Sequence, residues 1–210
     1  MALTDAQRAY NEIKERIICT QMPPGALIQI HELMAEIGLG RTPIREALKL
    51  LEAEKLVTVS PRRGMFVTDV SITDLLQVHE IRMELDALCV SLAVERITPA
   101  ELDALRRLVA DLDAAAEKGD GGAFLRLDRD FHAVLAAASH NHLLQAEVEK
   151  LYNLSLRIWY LCVNQLRPGN LGEGAFKEVL AAIEARDAKR ASHAMRMHIL
   201  QFNEAIKASL

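Results

Sequence analysis

Between Tyr10 and Val67 the hydrophobic period is helical, is interrupted twice, and then becomes alternating, which restricts this stretch to short helices followed by a hairpin. Tyr10, Ile13, Ile17 and Ile18 recur at helical spacing until QMPPG, where two prolines and Gly25 stop the run. HELMAEIGLG reads as a second short helix ended by Gly38. In GRTPIREALKLLEAEKL, residues 40–56, Gly40 or Thr42 can cap a third helix, with Pro43 at its first position. Ile44, Leu48, Leu51 and Leu56 lie along its buried face. Val57 and Val59 then alternate with polar residues, PRRG makes a turn, and Met65 and Val67 resume the alternation. Three short helices with a tight turn, followed by a hairpin, make a winged helix-turn-helix, its wing tip presenting Arg62 and Arg63.

From Ser71 onward the strand signals vanish. The spacing predicts helices near 71–97, 99–118, 121–139, 141–166, 174–186 and 188–208, with breaks at EKGDGG and RPGNLGEG. Thr98, Pro99 and Glu101 supply a cap, a first-turn proline and a capping-box acid. The expected fold is mainly α: a winged domain over 1–70 and an all-helical bundle over 71–210.

Charge divides along the same line. The net charge is −4, yet residues 1–70 hold nine Lys/Arg against nine Asp/Glu, and Arg41 to Arg63 hold six cations against three anions. A polyanionic partner is expected there. The apolar runs are too short to span a bilayer and the N-terminus lacks the apolar core of a signal, so the cytoplasm is the expected compartment. Cys19, Cys89 and Cys162 are widely spaced among apolar neighbours and read as reduced core thiols.

Arg41 and Arg45 sit one turn apart at the start of the third helix, where guanidinium can bond two acceptors of guanine and the Thr42 hydroxyl a phosphate. A solvated amphipathic helix with ordinary surface arginines is the plainer reading; the preceding helix and the wing favour DNA. Here the residues also resemble a family: PPGALIQIHELMAEIGLGRTPIREALKLLEAEKLVTVSPRRGMFV is similar to the DNA-binding domain of the GntR family of bacterial transcriptional regulators. The resemblance implies that Arg41, Thr42 and Arg45 contact DNA and that Gly64 lets the wing approach the minor groove; Arg63, at the wing tip, is a further candidate DNA contact. His31 stands where family members often carry an arginine or another polar contact residue, and Gly40 where serine or threonine is common.

The helical remainder resembles the FadR branch of that family, whose effector domain is called FCD, through EIRMELD, LDRDFHAVLAAASHN and AAIEARDAKRASHAMRMHI. At about 100° per residue, Asp128 and His132 face inward or lie at the margin of the buried face that Phe124, Leu127, Phe131 and Leu135 form on their helix. His198 falls at the edge of the last helix's apolar stripe, whereas His193 lies nearly opposite. An inward Asp, His and His suit a zinc- or nickel-type ion, and the resemblance places Asp128, His132 and His198 at metal-ligand positions. The family's further histidine, 22 residues before the last, is Phe176 here. A buried Asp128–His132 hydrogen-bonded pair without metal is the alternative.

Asn153, Arg157, Tyr160 and Asn164 form one polar stripe on a mostly apolar helix, suited either to a pocket wall or to a solvent face. Arg82 lies on the apolar flank of its own helix. If Arg82 and Arg157 share a cavity, the effector is expected to be a carboxylic acid. The expected function is a ligand-responsive, homodimeric regulator that reads a palindromic operator in double-stranded DNA, with repression relieved by ligand. A metal-dependent hydrolytic or oxygen-activating enzyme is the alternative, and a helical interaction module a third; no acid/base or nucleophile constellation accompanies the ligand set.

Overall fold

The computed structural model describes residues 3–162 and 173–209. The chain divides into two compact units, Met1–Ser71 and Ile72–Leu210.

In the first unit α1 (Asp5–Ile18), α2 (Ile30–Ile37) and α3 (Arg41–Ala53) precede the strands β1 (Val57–Ser60) and β2 (Gly64–Val67). Thr4 closes a capping box with Gln7 at the head of α1. Gly38 ends α2 in the left-handed conformation. Gly40 is the cap of α3, so Pro43 occupies its third position rather than the first; its missing N–H is still one of the unbonded first-turn donors. Ala9, Ile13 and Ile17 of α1 meet Ile44, Ala47, Leu48 and Leu51 of α3 in a fully buried core. Tyr10 sits at its margin, and its hydroxyl donates to Glu54, which also pairs with Lys14 at 3.0 Å.

The strands pair antiparallel from Val57↔Val67 to Ser60↔Gly64. Residues 25–28 add a third edge beside β2, through Gly25 N to Val67 O at 2.9 Å and Ile28 N to Met65 O at 2.8 Å. The PPG break therefore starts a strand-like segment. The alternation expected for β1 holds for Val57, which is buried, and fails for Val59, which is exposed. A ladder this short meets the helices at one end, leaving its distal half in solvent.

The second unit is α4 (Ile72–Arg96), α5 (Pro99–Lys118), α6 (Gly121–Ala138), α7 (His142–Cys162), α8 (Glu173–Glu184) and α9 (Ala188–Ser209). The Thr98/Glu101 capping box and Pro99 open α5 as expected, and Asp120 caps α6 by accepting from Ala123 N. α4 packs along α9, α7 and α6, while α5 packs on α6 and α8. Phe124 and Phe131 of α6 meet Phe176 of α8 edge-on, at 5.8 and 5.0 Å between centroids. Leu127 is only partly buried; Leu125 and Asp128 take its expected place. Cys89 and Cys162 are buried free thiols, the former pushed up to about 12 by burial. Cys19 is half-buried and is not a core thiol.

Candidate nucleic-acid interface and ligand cavity

The buried face of α3 leaves a polar face in solvent. Arg41, Thr42 and Arg45 are exposed on it, together with Glu46 and Lys49, which the sequence reading did not single out although Lys49 follows Arg45 at the i+4 spacing. His31 is exposed at the second position of α2.

Between the strands, Arg63 N donates to Ser60 O at 3.1 Å, closing a turn with Pro61 second and Arg62 third. Arg62 has φ +64°, the sign a type II turn demands at that position and normally takes from glycine. An arginine is thus held at the wing tip against local preference. Arg63 lies over the Phe66 ring at 5.9 Å. Gly64 has φ +114°, and a Cβ there would stand 3.1 Å from Leu27 Cδ1, so its first role is conformational. Arg62→Gly is expected to stabilise the first unit by about 0.5–1 kcal/mol in urea unfolding while weakening DNA binding and lowering its salt slope by about one.

In the second unit three side chains converge. Asp128 and His132, four apart on α6, and His198 of α9 are all buried. Their facing atoms form a triangle: His132 Nε2 to His198 Nε2 is 3.2 Å, and each lies 3.6 Å from Asp128 Oδ1. The Tyr152 hydroxyl donates to Asp128 Oδ2, whereas Oδ1 is buried with no hydrogen-bond partner. Burial pushes His132 down to about 4, leaving it neutral at pH 7. Burial also opposes the Asp128 charge, yet the facing imidazoles and the Tyr152 bond outweigh it and hold the carboxyl below its ordinary value. An ionised Asp128 and a neutral His132 are in the protonation states metal ligands need.

Three ligands about 2.1 Å from one centre, at angles of roughly 100–120°, would be separated by distances like these. The donor set therefore fits a divalent ion, and the orphaned Asp128 Oδ1 is the atom such an ion would satisfy. Phe176 stands 4.5 Å from the His198 ring and belongs to the aromatic core, so it covers this side without offering a donor. His198 Nδ1 has no hydrogen-bond partner and lacks the acceptor that usually orients a metal-bound imidazole. Phe176→His is expected to tighten zinc binding and to destabilise the metal-free protein by about 2 kcal/mol, read by zinc titration and urea unfolding.

The triad opens on a cavity also lined by His79, Arg82, Tyr152, Ser155, Trp159 and Phe202. Its free volume is about 10 Å³ for the centre of a water-sized sphere, enough for one water or ion and too small for a metabolite. Arg82 reaches the cavity, but its Nε donates to buried Asp86 at 3.0 Å and its guanidinium lies over the Tyr152 ring at 4.7 Å. Asn153 and Arg157 are buried, which rules out the solvent face for them, yet they and the partly buried Tyr160 are not in the lining. The stripe lies about 120° round α7 from Tyr152, Ser155 and Trp159, which form the wall. Asn164 lies outside the described residues. His193 is exposed and His198 buried, as the wheel placed them.

Comparison with known proteins matches residues 5–67 to "Bacterial regulatory proteins, gntR family" and residues 77–201 to the FCD domain. The HTH-type transcriptional regulator McbR of Escherichia coli (strain K12) is 31% identical over 199 residues, covering 93% of this chain and 89% of that protein. The HTH-type transcriptional repressor GlaR of the same organism is 34% identical over 203 residues, covering 91% and 90%. The solved structure of E. coli McbR/YncC superposes with a TM-score of 0.90 at 26% identity, covering 99% of both chains.

Proposed function

Because the chain belongs to the GntR family of bacterial regulatory proteins and carries an FCD domain, we propose that it is a dimeric repressor whose DNA affinity is set by a small organic acid held with a divalent metal. It is a DNA-binding transcriptional regulator and not an enzyme, which sets aside the metal-dependent hydrolytic or oxygen-activating alternative. No helix among the described residues is long and apolar enough to cross a membrane; cytoplasmic DNA is the proposed partner.

In this reading Arg41, Thr42 and Arg45 enter the major groove and Lys49 reaches a phosphate at its edge, while Arg62, Arg63 and the backbone at Gly64 follow the wing. His31 adds a phosphate or base contact. One winged unit touches too few bases for genomic specificity, so a homodimer on a palindromic operator follows. A relative named as a repressor supports that sign.

The sensing half rests on Asp128 Oδ1, buried without a hydrogen-bond partner and 3.6 Å from the Nε2 atoms of His132 and His198. Asp128, His132 and His198 would hold the metal, which would supply a Lewis-acidic position for a carboxylate oxygen. Arg82, bonded to Asp86 through Nε, turns its remaining N–H groups to the same acid. Arg157, Asn153 and Tyr160 support this wall from behind.

Coupling is the test. Fluorescence anisotropy of zinc-loaded full-length protein on operator DNA, with and without organic acids, should show one that shifts DNA affinity by about 5–150-fold, and DNA should shift the affinity for that acid by the same factor. Acids that bind and leave DNA affinity untouched would refute the regulatory link.

A further inference from the structure

His79 belongs to neither the metal triad nor the sequence-derived ligand set. It stands on α4 one turn before Arg82, is buried, and lines the cavity that Asp128, His132 and His198 share. Its Nδ1 is buried with no hydrogen-bond partner, and Asn203 of α9, whose Oδ1 is likewise buried without one, is beside the ring. It is not among the residues whose donor atoms lie within 4.8 Å of one another around the triad, so it is not a fourth metal ligand in this arrangement. Burial and the Arg82 charge push it down to about 4, so at neutral pH the ring is an uncharged hydrogen-bonding group. A buried unpaired nitrogen costs free energy that a correctly placed ligand atom recovers, and a neutral partner distinguishes ligands by hydrogen bonding rather than charge.

We infer that His79 is a specificity-determining residue of this cavity: its Nδ1 bonds a second polar group, such as a hydroxyl, on a small acid whose carboxylate is held at the triad and Arg82. This rests on the acid-sensing reading above. The cavity as it stands holds one water or ion, so the assignment requires the Trp159 and Phe202 rings that line it, 4.1 Å apart between centroids, to move and admit a three-carbon acid.

Lactate and propionate differ by one hydroxyl and are suitable probes. Calorimetry on zinc-loaded full-length protein should show lactate preferred by about tenfold or more. His79→Leu should bring that ratio to about one to three, His79→Gln should restore most of it, and zinc affinity should stay constant across all three. A ratio that persists in His79→Leu, or that is absent in the wild type while both acids bind, overturns the assignment alone. Zinc binding without affinity for either acid in the wild type overturns it together with the acid-sensing reading.

Discussion

Arg45→Ala is expected to weaken operator binding by about 5–150-fold per half-site, and by roughly the square of that factor when a dimer reads the site twice. The side chain is exposed on α3, so its removal leaves the core of Ile44, Leu48 and Leu51 intact. Alanine is also a strong helix former, and unfolding stability should stay within about 0.5 kcal/mol. Lys49→Ala serves as the contrast. Removing a phosphate-binding cation there should weaken all sequences alike and reduce the salt slope by about one per copy, whereas Arg45→Ala should also relax the preference at one base pair. Unchanged selectivity in Arg45→Ala would remove this residue from base reading.

Stability of the helical unit should fall steeply as pH drops from about 6.5 to about 4. Burial pushes His132 and His79 down to about 4 from an ordinary 6.5. In that window the unfolded chain binds two protons that the folded chain refuses. Each contributes a slope of about 1.4 kcal/mol per pH unit, so stability is intact above 6.5, declines through the window and levels below 4. The summed loss, on the order of several kcal/mol, is large against a domain stability of about 5–15 kcal/mol. Asp128, held low, adds a further loss only as pH falls through its own depressed value. Urea unfolding of metal-free protein between pH 7 and 4.5 should show this decline, and His79→Leu should flatten it by about half. A level profile would mean that the imidazoles are not excluded from protonation by burial.

What was legible in the sequence was local. Thr98, Pro99 and Glu101 specify the start of α5 by bonds made within four residues, and Gly38 specifies the end of α2 by its own φ. The face of α3 followed from the spacing of Ile44, Leu48 and Leu51. Features made by distant pairing were not visible. Residues 25–28 become a third edge only because β2 folds back beside them. On α7 the wheel grouped Asn153, Arg157 and Tyr160 correctly, but the choice of wall depends on which neighbours cover the helix, and nearly all of its second half is covered. Asp86, four residues after Arg82, and His79, three before it, carried a helical-spacing signal that could have been read. Tyr152 became visible as the partner of Asp128 only when α6 and α7 met.

The central claim, that α3 and the wing read DNA as a pair of half-sites, is tested most directly by selection from a random duplex pool with the full-length protein. An inverted repeat should be enriched, with a half-site spacing near one helical turn or a multiple of it, and Arg41→Ala/Arg45→Ala should enrich nothing while unfolding like the wild type. Enrichment of no sequence by the wild type, or of the same repeat by the double variant, would contradict the account.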